Sequence, residues 1–212
     1  MTVVLLHAFP LDERMWEPQR AVVPDAITPR LYGRCRTMEA WADSLAGEID
    51  GELTLVGASM GGYCALMLAR RVPERVRRLL LVGSRADADS PERRAGRADT
   101  IDLIRREGSE GLWRSMLPKL FADPSRADES LRFGNADGLI GAVEAIRDRP
   151  DSRDVAGALG PRLRFVVGRQ DTFVTPDELQ GYDVRVIVGA GHLANLERPD
   201  EFNAELEEWL TA

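Results

Sequence analysis

Three short turns in the chain carry residues whose types and spacing suit nucleophilic chemistry. The first is Gly57-Ala58-Ser59-Met60-Gly61-Gly62, a G-x-S-x-G pattern between an apolar run at residues 53–56 and an apolar-periodic stretch, Met60–Arg71. Between a strand and a helix, a serine in this pattern occupies a strained turn with its hydroxyl exposed, and the glycines make room for the adjoining backbone. A serine hydroxyl needs a base to become a nucleophile. The chain has two histidines, and the one in its C-terminal half is His192, in Gly189-Ala190-Gly191-His192. A base needs an orienting acid, and Asp171 in Gly168-Arg169-Gln170-Asp171 follows another apolar run. Asp87 and Asp89, just after the run Val76–Val82, are alternative acids. The chemistry these groups imply is acyl transfer, with Ser59 as nucleophile, His192 as general base and Asp171 fixing the imidazole tautomer.

Residues so far apart meet only if the fold gathers them. Short apolar runs at Thr2–Leu6, 53–56, Val76–Val82, 163–167 and 184–188 read as buried strands, each stopped by glycine or a Pro-containing loop. Residues 26–31 read as a weaker strand, with Pro29 placing it at an edge or a bulge. Helical periodicity appears at 38–49 with Thr37 as its cap, at Met60–Arg71, and at 199–210, where Pro199 opens a helix with Phe202, Leu206 and Trp209 on one face. Strands that are apolar throughout and alternate with helices imply a parallel sheet covered on both faces. In such a sheet all C-terminal strand ends share one edge, which would bring Ser59, Asp171 and His192 together.

The loop after the first strand, His7-Ala8-Phe9-Pro10-Leu11-Asp12, supplies a fourth part. It can set the N–H of Phe9 beside that of Met60 as a two-donor oxyanion hole. With these four segments the chain resembles the α/β-hydrolase superfamily, in its small esterase and lactonase-like branch. The loop at 7–12 is similar to that family's HGFP-type loop, 57–62 to its nucleophile elbow, and 168–171 and 189–192 to its acid and histidine turns. Ala8 stands where the family usually has glycine. The resemblance implies an α/β-hydrolase fold, and the strand count above implies that its mostly parallel sheet is trimmed to about six strands. Its core would comprise residues 1–84 and 150–212, with residues 85–149 inserted as a small helical cap. The segment 172–183 is shorter than the family's usual strand-helix-strand crossover, so its helix is expected to shrink to a turn or two. The resemblance further implies a serine hydrolase acting on a small ester, thioester or lactone without a cofactor. Serine at the elbow argues against the dehalogenases and epoxide hydrolases of the family, which carry Asp there. Two other readings stay open: a lyase or carbon–carbon bond hydrolase using the same residues, and a non-catalytic binding protein on the same scaffold.

Composition narrows the partners. The 212-residue chain is 44% hydrophobic and carries a net charge of −7 with no basic block, so a small-molecule acyl substrate is expected rather than nucleic acid or a membrane. There is no CxxC or HExxH, and two histidines are too few for an ordinary zinc site, so no metal is expected. Cys35 and Cys64 read as free thiols, Cys64 in the core, and with no basic start or long apolar stretch at the N-terminus the expected location is cytoplasmic. Oligomeric state stays open. His7 is expected to hold its loop rather than carry protons. Between residues 85 and 149, Trp113, Met116 and Phe121 lie at roughly helical spacing and are candidates to line a small, sparsely charged acyl pocket above Ser59, with Arg105, Arg106 and Arg114 facing solvent.

Overall fold

The computed structural model describes residues 2–211. Five strands, β1 (Thr2–Leu6), β2 (Leu53–Ala58), β3 (Val76–Val82), β4 (Leu163–Gly168) and β5 (Asp183–Ile187), lie side by side in chain order. Every pairing is parallel. Parallel neighbours need a crossover over one face, and both faces are covered. Val4, Leu6, Leu53, Leu55, Leu79, Leu81 and Phe165 share one core with helices α1 (Met38–Glu48) and α2 (Met60–Arg71). Their alternates Leu5, Val56, Leu80, Val82 and Val166 pack on the other side with Trp16 of a 3-10 helix (Glu13–Ala21) and with Phe202, Leu206 and Trp209. Burial of both faces is why these strands read as unbroken apolar runs. The Thr37 hydroxyl caps α1, accepting from the N–H of Ala40 at 3.2 Å.

The sheet is one strand narrower than expected. Residues 26–31 form only a single parallel bridge, Val4 to Ile27, with two backbone hydrogen bonds of 2.9 Å. Pro29 follows two residues later and has no N–H to continue the ladder, so the pairing stops. Between β4 and β5 the crossover is reduced to a 3-10 turn, Pro176–Leu179.

The segment between β3 and β4 carries helices α3 (Pro91–Leu120), α4 (Ala136–Asp148) and α5 (Arg153–Leu159). Gly108, at φ 66° and ψ −163°, breaks α3 into two arms. Ile101, Ile104 and Leu112 of α3 join Leu139, Val143 and Ile146 of α4 in the core that also holds α1 and α2. The segment leaves and returns at one point, where Ser152 N–H donates to Ala86 O at 2.8 Å. It is also tied to the loop after β1: Phe133 N–H donates to Pro10 O at 3.0 Å, and the Phe133 ring stacks on Tyr32 at 3.9 Å. Two further helices, α6 (Ala194–Glu197) and α7 (Pro199–Thr211), close the chain. Among the described residues no helix is long and apolar enough to cross a membrane.

His7 follows β1 and holds its loop. Its Nδ1–H donates to Ala8 O at 3.2 Å and its Nε2 accepts from Leu31 N–H at 3.0 Å, which requires the neutral ring. Complete burial drives the imidazole down to about 4, against a smaller upward pull from the Ala8 bond. Between about pH 6.5 and 4 the unfolded chain therefore binds a proton that the folded chain refuses, so folding stability falls as pH drops through this window. The loss is about 1.4 kcal/mol per pH unit and levels off near pH 4. Urea titrations of the wild type and His7→Gln at pH 7.0 and 5.0 should show their stability difference shrinking by about 2 kcal/mol at the lower pH. Parallel pH dependences would contradict a neutral, buried His7.

Candidate active site

Ser59 lies between the end of β2 and the start of α2 with φ 47° and ψ −110°, the one positive φ outside glycine among the described residues. Such a backbone costs on the order of 1–3 kcal/mol and must be held by its surroundings. Ser59 N–H donates to Val82 O at 2.8 Å, and its carbonyl accepts from Gly62 N–H and from the Ser84 hydroxyl, each at 3.0 Å. The glycines of the motif are required by contact rather than by φ. A Cβ on Gly57 would lie 2.5 Å from Gly62 Cα, and one on Gly61 would overlap the carbonyl of Leu6.

That last contact brings the N-terminus of α2 against the end of β1. The residues after β1 thus lie beside Met60, whose N–H, at the first position of α2, has no intrahelical acceptor and feels the positive end of the helix. Phe9 forms part of the cavity wall with Ser59 and His192.

The other two turns converge on the same edge. His192 Nε2 is 2.8 Å from Ser59 Oγ, and its Nδ1 lies 2.9 Å and 3.1 Å from the two carboxylate oxygens of Asp171. With Nδ1–H donating to the carboxylate, Nε2 is left to accept the Ser59 proton. Asp171 is itself fixed, because its Oδ1 accepts from the N–H groups of Phe173 at 2.8 Å and Val174 at 3.1 Å. Both side chains are buried. The alternative acids are engaged elsewhere: Asp87 with Arg93 and Arg85, and Asp89 with Arg149 and Arg97. Burial alone would raise the Asp89 carboxyl, but the hydrogen bond from Arg97 and the charge of Arg149 outweigh it and hold the group below its ordinary value.

Three residues of the site carry no sequence motif. Gly83, with φ 51°, follows β3, and a Cβ there would lie 2.6 Å from His192 O and 3.0 Å from its Nδ1. Ser84 braces the Ser59 carbonyl as described. Glu197, fully buried, accepts at Oε2 from Gly191 N–H at 2.6 Å and at Oε1 from Ala122 and Asp123 N–H at 2.8 and 3.1 Å. It thereby ties the histidine turn to the end of α3. A glycine after a strand is the single local hint for Gly83; Ser84 and Glu197 depend on tertiary contacts.

A cavity of about 540 Å³ opens above Ser59 and His192. Of the three candidate lining residues only Met116 reaches it. Trp113 and Phe121 are instead 4% and 3% exposed, edge to face at 6.4 Å, in the core on the α7 side of the sheet. The cavity is not sparsely charged either, since Arg85, Asp89, Arg93, Arg97 and Glu178 are in its wall. Arg105 and Arg114 are exposed to solvent, with side chains 62% and 74% accessible. Among the described residues no group of three or more His, Cys, Asp or Glu side chains is arranged to hold a metal.

The sequence profile of the alpha/beta hydrolase family matches residues 3–205, and the chain belongs to that family. A thermophilic esterase from Thermogutta terrifontis, solved with malate bound, shares 32% identity and a TM-score of 0.88 over all of this chain and 89% of its own. The enol-lactonase of Burkholderia xenovorans LB400 superimposes with a TM-score of 0.82 at 24% identity, over all of this chain and 92% of its own, a likeness of fold. The pimeloyl-[acyl-carrier protein] methyl ester esterase of Neisseria meningitidis serogroup A is 29% identical over 79% of this chain. The counterpart in Aromatoleum aromaticum is 38% identical over 39% of this chain. These two matches span 60% and 36% of the relatives' own lengths.

The crowding at Gly83 gives a direct check. Gly83→Ala places a methyl group against the His192 turn at an unfavourable φ, and should reduce turnover at least about 100-fold, the penalty for displacing a reacting group by roughly 1 Å. Steady-state ester hydrolysis, with circular dichroism to verify folding, measures this; a folded variant of wild-type activity would show that the turn yields freely.

Proposed function

We propose that the protein hydrolyses small carboxylic esters, thioesters or lactones through an acyl-enzyme on Ser59. The observation that carries this reading is the continuous hydrogen-bonded line from Ser59 Oγ through His192 to Asp171, at 2.8 Å and 2.9 Å. It lies at the edge of a cavity large enough for a small molecule. The family relationship and the esterases among its relatives support the same reaction class.

In this mechanism His192 Nε2 takes the Ser59 proton as Oγ attacks the substrate carbonyl. The N–H groups of Met60 and Phe9 donate to the developing oxyanion, where preorganised donors are worth more than in water. Asp171 stabilises the imidazolium that forms and does not itself take the proton. The imidazolium then gives its proton to the leaving alcohol or thiol, and water, activated by the same histidine, releases the acid from Ser59. Residues 85–149 act as a cap, with Met116 and Ile146 in the wall of the acyl site.

Ser59→Ala should lose esterase activity by at least about 10⁴-fold, and Asp171→Asn by about as much, with folding retained. Hydrolysis of p-nitrophenyl butyrate and labelling by a fluorophosphonate probe provide the readouts. Undiminished turnover in Ser59→Ala would contradict the role of the serine, while a folded wild-type chain that neither hydrolyses nor labels would favour a binding protein.

A further inference from the structure

The cavity above Ser59 differs at its two ends. Beside Ser59 and His192 its wall includes Phe9 and Phe173, whose ring lies 4.7 Å from the His192 ring, and the Arg85 guanidinium there donates to the Phe173 carbonyl and is paired with Glu178. Its other wall is cationic, formed by the first turns of α3, where Arg93, Gly96 and Arg97 face inward and Gly96 has open space where a side chain would be.

Charge around the cavity does not balance. Arg85 and Arg93 share Glu178 and Asp87, so that two cations meet two carboxylates. Asp89, with its side chain 1% exposed, lies between two arginines: Arg149 Nη1 at 2.8 Å and Arg97 Nε at 2.9 Å. Arg149 is buried and both its Nη groups are engaged, with Nη1 also donating to Ile146 O, Nη2 donating to Asp87 O, and the guanidinium over the Tyr63 ring at 3.9 Å; its Nε, out of reach of the cavity, has no partner among the described residues. Arg97 is not. Only its Nε is bonded among the described residues, while its side chain is 25% exposed and in the cavity wall. One cation is thus in excess, in a chain whose net charge is −7. The free donors are the two Nη groups, the fork that binds a carboxylate through two parallel hydrogen bonds.

Asp89 holds Arg97 at a distance from the nucleophile. Tyr63 lies one helical turn, about 5.4 Å along α2, beyond Ser59, and Tyr63, Arg149, Asp89 and Arg97 follow in direct contact. An anion on Arg97 therefore belongs to the part of a substrate several bonds away from the carbonyl at Ser59.

We propose that Arg97 is the receptor for a substrate carboxylate, and that the preferred substrates are half-esters of dicarboxylic acids with the free acid remote from the scissile carbonyl. This rests on the hydrolase reading of Ser59 and adds the substrate class. Asp89, kept ionised by its two arginines, orients the Arg97 fork toward the cavity and is a positioning residue.

The test compares monomethyl adipate with methyl hexanoate, which has the same acyl length but no charge. In Arg97→Met the ratio of their kcat/KM values should fall at least tenfold, mainly through KM for the charged ester. Arg97→Lys, which keeps the charge and loses the fork, should recover part of the ratio. In parallel, Ser59→Ala protein titrated with monomethyl adipate by calorimetry should bind at least tenfold more weakly once Arg97→Met is added. Equal ratios in wild type and Arg97→Met, with both esters hydrolysed, would overturn the receptor and leave the hydrolase standing. Arg97-dependent binding without hydrolysis by the wild type would support the receptor and overturn the hydrolase instead.

Discussion

The backbone of Ser59 is the constraint on which the site depends. A residue with a side chain is held at φ 47° where β2 turns into α2, and strain of this kind persists only where neighbours over-determine it. Those neighbours are the ends of the adjoining strands. Val82 and Ser84, at and after the end of β3, bond the Ser59 backbone, while Gly61 packs on the last carbonyl of β1. Closing this turn therefore does more than expose a hydroxyl. It sets the start of α2 against the loop that carries Phe9 and leaves Gly83 as the floor under the His192–Asp171 pair. A methyl group at Gly57, Gly61 or Gly83 would press on the backbone or side chains that set Ser59 and His192.

Around this rigid edge the structure uses ionic links to seat the segment from 85 to 149. Glu197 joins the histidine turn to the end of α3, and the buried Arg149–Asp89 pair fixes the start of α3 above Tyr63. Buried charges carry a large desolvation cost and repay it only with several partners in good geometry, a condition that Glu197 meets with three backbone donors and Asp89 with two guanidiniums. Their worth lies in placement: they hold the start and the end of α3 against the edge that carries Ser59 and His192.

Much of this was legible in the amino-acid order, and the limits have physical reasons. The strands stood out because burial on both faces makes each an apolar run, and the turns around Ser59, Asp171 and His192 stood out because close backbone approach demands glycine beside them. Residues 26–31 misled because an apolar segment does not reveal that Pro29 stops the ladder after one bridge. Helical spacing identifies Trp113, Met116 and Phe121 as a stripe without saying against what each is buried: Trp113 and Phe121 pack in the core on the α7 side of the sheet, while Met116 lines the cavity. The arginine-rich stretch after residue 85 reads locally as a solvated helix face. Its inward members depend on contacts that helical spacing does not reveal: Arg85 and Arg93 meet Glu178, and Arg97 is held by Asp89, which Arg149 anchors from far along the chain.

Direct observation of the covalent intermediate bears most closely on all of this. Intact-protein mass spectrometry after rapid acid quench of the enzyme with p-nitrophenyl butyrate should show a transient adduct of one butyryl group, and fragmentation should place it on the peptide containing Ser59. A protein that hydrolyses the ester while showing no adduct at any quench time, or showing it on another residue, would contradict Ser59 as the nucleophile.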